Sequence, residues 1–513
     1  MALRAARVRA SIPAMSPAAQ RAPDHADPPG DVLDSSRAGA LALRGSVLRL
    51  GGMGGGMLLA LVAAPLLIRH LHQVGFGQYV TALSIATIAA GLTEGGVNAI
   101  ALREFAARDG RDRDAVMRDI FGIRLLLSAA GVIGAVAFAA AVGYSETIVI
   151  GTAVAAAGLS IQLLQTFISV PLQGTMRLGT VASADLLRNA VSTGLIVVLV
   201  IAGAGIVPLL GVIVPACLAA LVLTARLSRQ LMPLRPSFHI AGALPLLRET
   251  LPFAIAIALS SVYFRITVIV MSLEASELET GYFSTSFRIV EVLITLPVIV
   301  IGTAYPIVAR AERDDPQRFV YASRRMFELA VLVGVWVALA LELGARFATD
   351  VLGGPAAAPA APVLRIQGLA VMATFVAVAC AYPLLSMRRY AGLLIANALG
   401  LVVTLAASLA LVPALEARGA AIATVAAEVS LALATAVALV RARPELGLPW
   451  EIIPLALLAA AIGVGVGHLV GIHPVLDTIV GTCVYALLLA AFGRFPPEIG
   501  HALRARRIAD GAG

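Results

Sequence analysis

The sequence predicts an all-α, polytopic membrane protein of about fourteen transmembrane helices, arranged as two six-helix lobes plus two C-terminal helices. Three observations predict it. Of the 513 residues, 59% are hydrophobic and the mean hydropathy is +0.93, whereas soluble domains run at roughly 45–50% apolar. The apolar residues fall in runs of about twenty, the length a helix needs to cross ~30 Å of hydrocarbon. The charges, finally, collect between the runs and alternate between two sides.

Taken in order, residues 1–44 are a separate material. SIPAMSPAAQRAPDHADPPGD is polar and proline-rich, with no apolar stretch long enough for a signal-peptide core. Arg4, Arg7 and Arg9 suit an organellar transit peptide, but Asp24, Asp27, Asp31 and Asp34 do not, so a disordered cytoplasmic tail is expected. Apolar runs over 47–68, 79–101, 120–143, 147–170, 180–203 and 206–225 predict the helices of an N-lobe spanning 45–225. Residues 226–248 read as a cytoplasmic inter-lobe linker. Runs over 249–272, 280–303, 326–346, 362–385, 391–412 and 417–440 predict a C-lobe spanning 249–440. Within 441–493, helices over 452–471 and 475–493 follow, before a cytoplasmic tail at 494–513. Besides the linker, 102–119 is the long polar connection.

All 38 basic residues are arginine, which reflects coding bias more than chemistry. The net charge of +8 is spread over loops, so no nucleic-acid partner is implied. One side carries the N-terminal arginines, the cluster from Arg103 to Arg118, Arg226 to Arg235, Arg310 to Arg325, Arg388, Arg389, Arg441, Arg443 and Arg494 onward. The other carries Arg69, Arg346 and Arg418 among Glu146, Glu274, Glu277, Glu279 and Asp350. The positive-inside rule then places both termini in the cytoplasm. Cys217, Cys380 and Cys483 sit within apolar runs and read as small hydrophobes rather than disulfide partners.

A faint internal repeat lays GQYVTALSI from Gly77 on GYFSTSFRI from Gly281, with Gly77/Gly281, Thr81/Thr285 and Ile85/Ile289 identical. Both segments open the second helix of a six-helix unit, which supports parallel lobes related by an axis along the membrane normal. A shared interfacial preference for glycine and aromatics accounts for the match equally simply.

The stretch APLLIRHLHQVGFGQYVTALSIATIAAGLTEGGVNAIALREFA resembles the opening of the polysaccharide-export flippases. Tyr263-Phe264-Arg265, Gly281-Tyr282-Phe283 through Arg288 and Glu291, Pro306, and Gly419-Ala420-Ala421-Ile422-Ala423-Thr424 leading to Glu428 extend the resemblance over about 47–440. That family moves lipid-linked oligosaccharides across bacterial inner membranes. It shares its fold with multidrug exporters and the peptidoglycan-precursor flippase. The resemblance therefore implies a multi-pass inner-membrane protein that takes a polyprenyl-diphosphate-linked glycan from the cytoplasmic to the outer leaflet by alternating access. Membrane lipids, a polysaccharide polymerase and glycosyltransferases are its implied partners. Two departures bear on mechanism. Thr267 stands where the family often has an aspartate, and Glu94-Gly95-Gly96 where it often has Asp-Leu-Gly. Cation coupling through that aspartate is therefore not expected. The arginine-rich first helix of the peptidoglycan-precursor flippase is also missing.

Ionisable residues in hydrocarbon are expensive and usually face the bundle interior or a wet cavity. Arg265 in helix seven and Arg288 in helix eight lie at similar depth, and Glu291 shares a face with Arg288. An anion site in the outer half of a central cavity is one reading, because a guanidinium offers a diphosphate a bidentate fork. The simpler reading is that Arg265 snorkels and Arg288 neutralises Glu291. Arg365, which opens helix ten, is a further substrate-binding candidate or a headgroup anchor. Gln162 and Gln165 could bind sugar hydroxyls or serve as interhelical glue. Glu428 is the candidate proton-sensitive carboxylate, or else partners an arginine on another helix. Glu94 and Arg103, toward the cytoplasmic end of helix two, are charge-coupling or structural.

No enzyme constellation emerges. His70 and His72 share an outer loop without nearby carboxylates, as do His468 and His473. No P-loop exists, and neither a metal nor a cofactor is expected. Two rivals remain: a cation-coupled multidrug-type exporter of the same fold, which predicts an acidic cavity, and a non-transporting scaffold for assembly enzymes, which would tolerate loss of the cavity charges.

Overall fold

A computed structural model describes residues 36–233, 235–238 and 240–493. The expected tails therefore fall outside the described residues over 1–35 and 494–513. Every element is helical: α1 (Ser36–Glu94), α2 (Val97–Ala107), α3 (Gly110–Ala141), α4 (Glu146–Ile168), α5 (Val170–Gly174), α6 (Leu178–Ile201), α7 (Ile206–Gly211), α8 (Ile213–Ser228), α9 (Ile240–Glu274), α10 (Glu277–Leu293), α11 (Thr295–Gly302), α12 (Tyr305–Asp314), α13 (Pro316–Gly353), α14 (Ala360–Ser386), α15 (Tyr390–Ala442), α16 (Ile452–Val470) and α17 (Pro474–Ala491). Among the described residues, 12 continuous helical stretches are long and apolar enough to cross a membrane. The protein is thus an all-α polytopic membrane protein.

Two of those stretches are double-length and carry a residue off the helical path. His72 interrupts α1 with φ 55°, and Glu416 interrupts α15 with φ 48°. Both are left-handed conformations that a side chain adopts only at a cost. At Glu416 the chain doubles back: a Cβ on Gly392 would fall 3.2 Å from the Cβ of Ala438, near the opposite end of the same element. At His72 it does likewise, because Ala64 and Leu83 line one small cavity although a straight helix would hold them ~28 Å apart. His70 Nε2 lies 2.8 Å from the Ala204 carbonyl, and Arg69 donates to the Val351 carbonyl at 2.7 Å, pinning that turn to both halves of the chain.

The helix breaks have a common cause. Helices α7, α10 and α11 end at Gly211, Leu293 and Gly302. Each ends at the residue whose carbonyl would be served by Pro215, Pro297 or Pro306 four positions on. Proline has no N–H to give and its ring clashes with that carbonyl. Between α1 and α2 the cause is instead Gly95 and Gly96, both with positive φ (55° and 69°).

Charge, in contrast, breaks nothing. The expected polar connection at 102–119 is helical apart from 108–109, because arginine and alanine are good helix formers wherever the chain leaves the hydrocarbon. For the same reason α1 starts at Ser36 rather than near 47, and α9 at Ile240 rather than 249. Past α8, Ser237 lies against α3, its amide donating to the Arg118 carbonyl at 2.9 Å.

Helix α14 packs between α13 and α15, and the α16–α17 pair leans on α13. One apolar core is drawn wholly from residues 290–489. A second joins the two halves of the chain, with Phe76 and Tyr79 of α1 beside Phe283 and Phe287 of α10. There the two segments matched as a repeat meet. A Cβ on Gly77 would fall 3.0 Å from the Gly281 nitrogen, and one on Gly281 would fall 2.2 Å from the Gln73 carbonyl oxygen.

Candidate functional site

Beside this contact, between α1, α9 and α10, lies a cavity of about 60 Å³, lined by Tyr79, Leu83, Arg265, Ser284, Arg288 and Glu291 among others. Arg265 is nine residues from the end of α9 and Arg288 eleven from the start of α10, so their Cα atoms sit ~14 and ~16 Å along from neighbouring helix ends. That matched depth brings both to Glu291. Arg265 Nη2 donates to Oε1, and Arg288 Nη1 donates to Oε2 at 2.6 Å. Arg265 is 12% exposed and Arg288 34%. The Arg265 guanidinium also lies 5.5 Å from the Phe287 ring centre and 5.8 Å from that of Phe264, within cation–π range.

Two cations on one carboxylate leave the cavity with a single excess positive charge. The simpler expectation gave Glu291 to Arg288 alone; the structure shares it between both arginines, so the excess belongs to the pair. Arg265 Nε and Ser284 Oγ have no hydrogen-bond partner among the described residues. A buried donor in that condition gains strongly from an arriving acceptor. Tyr79 and Ser284 were not anticipated as cavity residues. Both lie within the two repeat segments, which was the only signal the sequence held for them.

The other candidates are placed apart. Glu428 is 5% exposed and accepts hydrogen bonds from Tyr263 Oη at 2.6 Å and Thr374 Oγ1 at 2.9 Å, so hydroxyls from α9 and α14, not an arginine, hold it. Arg365 lies 3.9 Å from Glu342 of α13 in a half-exposed pair and does not line the Arg265 cavity. Gln165 donates to Thr224 Oγ1 of α8 at 3.3 Å and is buried, which is the interhelical role. Gln162, one turn earlier, receives the Thr166 hydroxyl on its own carbonyl oxygen.

Glu94 accepts from the Gly96 amide at 2.9 Å and from Asn98 at 3.1 Å, across the helix break, while Arg103 contacts Glu104 at 3.0 Å. The sequence reading passed over Arg124, a fully buried arginine of α3. It stood four residues inside a predicted span, where the charge alone could have flagged it. Among the described residues, no group of three or more His, Cys, Asp or Glu could hold a metal ion.

Comparison with known proteins fits this architecture. A model of the polysaccharide biosynthesis protein family matches residues 42–312. The fold is similar to that of the lipid II flippase MurJ in an inward closed conformation, at 12% identity and a TM-score of 0.74, covering 87% of this chain and 99% of that one. It is also similar to an inward-facing multidrug resistance MATE family transporter at 16% identity and a TM-score of 0.56, covering 78% and 98%. A MOP superfamily transporter from Pyrococcus furiosus aligns at 17% identity and a TM-score of 0.56, covering 79% and 95%. Sequence comparison with curated proteins finds no match.

Proposed function

The chain belongs to the polysaccharide biosynthesis protein family, and on that premise we propose that it translocates a polyprenyl-diphosphate-linked oligosaccharide between leaflets of a bacterial inner membrane. In this reading the two doubled-back helices each cross twice. That makes fourteen crossings in two six-helix lobes plus α16 and α17, with both termini cytoplasmic. The lobes alternate access to a cavity between them, and the polyprenyl tail stays in lipid. A polymerase and glycosyltransferases would supply and consume the glycan.

The observation that carries the reading is the net-positive cavity at the contact between the two halves, where Arg265 and Arg288 share Glu291. A purely structural pair needs one cation per carboxylate, since buried charge is costly. A second guanidinium with an open nitrogen suits an incoming phosphate. The contact of Gly77 with Gly281 supports the two-lobe relation, because residues near a symmetry axis touch their own mates. The multidrug reading calls for a cavity that attracts cations, which an excess of arginine opposes.

The test measures binding of a polyprenyl-diphosphate-linked oligosaccharide to the purified protein in nanodiscs. Arg288, the more exposed cation, is the one expected to meet the headgroup. Arg288→Ala should weaken binding more than about tenfold, as loss of a charged hydrogen bond of ~1.5–3 kcal/mol implies. Arg288→Lys should restore part of it, because a point charge lacks the fork. Arg288→Ala combined with Glu291→Ala restores the net charge without the donor. If that double variant binds like the parent, Arg288 is only a counterion and the anion site is lost.

A further inference from the structure

A buried tyrosine hydroxyl usually finds a hydrogen-bond partner, because a donor left unpaired away from water is costly. Tyr79 departs from that rule. Its side chain is 8% exposed and lines the cavity of Arg265 and Arg288. Its Oη has no hydrogen-bond partner among the described residues, yet unlike the unpartnered Ser284 Oγ it is not sealed from water. The ring is held in place by Phe76, with which it stacks at 6.1 Å between centres and 11° between planes. A phenol has only two side-chain torsions to fix, so this donor is largely oriented before any ligand arrives.

The phenol is also set apart by where it comes from. Arg265, Ser284, Arg288 and Glu291 all belong to α9 and α10, in the second half of the chain. The other side chains that α1 gives the cavity are apolar, Leu67, Phe76, Val80 and Leu83 among them. Within this cavity, an anion held by the arginines can therefore hydrogen-bond to a side chain of the first half only through Tyr79. The contacts that close α1 on α10 lie next to it in the chain. Gln78 donates to Glu277 at 3.0 Å, and a Cβ on Gly77 would fall 3.0 Å from the Gly281 nitrogen.

We infer that Tyr79 donates to a phosphate oxygen of the bound headgroup, and that this bond couples binding to closure of α1 on α10. The inference rests on the anion-site reading above and adds the regulation of that site. A ligand shifts a conformational equilibrium only as far as its affinities for the two states differ. The arginines travel with α9 and α10, so they hold the phosphate whether or not the Tyr79 segment of α1 lies against them. The Tyr79 bond exists only when it does. A diphosphate should therefore favour the closed contact by about tenfold, the effect of one hydrogen bond to a charged group. By reciprocity, closure tightens the diphosphate by the same factor.

The probe is polyprenyl diphosphate, with neutral polyprenol as its control, added to the full chain in nanodiscs. The parent for this experiment carries Gln78→Cys and Glu277→Cys, with Cys483→Ser to remove the exposed native thiol. Saturated with the diphosphate, it should form its disulfide several-fold faster under limiting oxidant, while polyprenol should change nothing. Tyr79→Phe keeps the ring on Phe76, so the melting temperature should hold. Its binding should weaken about tenfold, and at saturation it should crosslink no faster than the empty protein. Unchanged affinity in Tyr79→Phe would overturn the hydrogen bond. An equal gain in rate in Tyr79→Phe, or none in the saturated parent, would overturn the coupling. Those outcomes leave the arginines standing. A parent that binds no diphosphate would take down the anion site and this inference together.

Discussion

At the scale of single residues, the buried carboxylates solve the same problem in different ways. Glu291 is matched by two guanidinium groups, so its charge is over-compensated. Glu428 has a tyrosine and a threonine hydroxyl and, among the described residues, no ion-pair partner, so a charge there is hydrogen-bonded but not neutralised. A carboxyl in that position can exchange a proton at lower cost than one locked to arginine. If Glu428 carries the coupling proton, transport by Glu428→Gln in proteoliposomes loses its dependence on pH. The amide oxygen can still accept from Tyr263, while its N–H donates to Thr374 Oγ1, which keeps its own bond to the Ala370 carbonyl, so folded yield should stay near that of the parent. A pH profile that survives the substitution, at normal turnover, removes Glu428 from the coupling step.

At the scale of elements, the helices are shaped by what their backbones lack. Prolines remove donors and end α7, α10 and α11, and glycines let backbones touch where no side chain fits. Gly281 is the extreme case, since the obstacle to a Cβ is the Gln73 backbone, with its carbonyl oxygen at 2.2 Å and carbonyl carbon at 2.5 Å. That obstacle cannot rotate away. Gly281→Ala should therefore push α10 off α1 and cost about 1–3 kcal/mol, the range for overpacking, seen as a lower melting temperature in detergent. Gly134→Ala, with free space around it, is the matched control and should melt like the parent.

At the scale of the whole molecule, the two halves are tied at the end where α1 doubles back. Gln78 donates to Glu277 at 3.0 Å, Thr285 donates to Gln73 at 2.9 Å, and Arg69 reaches the carbonyls at the end of α13. In the proposed alternating-access cycle this end must part. Gln78→Cys paired with Glu277→Cys should form a disulfide under mild oxidation and stop transport, and reduction should restore it. Undiminished transport by the fully crosslinked protein would show that these segments need not separate.

The sequence by itself determined the class of fold and most of its segments, because hydrocarbon thickness acts on every residue of a span and leaves a signal twenty residues long. It also brought Arg265, Arg288 and Glu291 forward together, since matched depth on consecutive helices follows from rise per residue alone. It misjudged helix ends, as at 102–119, because arginine marks where a chain leaves the membrane and not where a helix stops. Only the tertiary structure decided which charge meets which. The sharing of Glu291, the hydroxyl partners of Glu428, the pairing of Arg365 with Glu342 and the burial of Arg124 all depend on helix rotation and neighbour choice. Those are set by side-chain packing between segments distant in the chain, to which no local pattern responds.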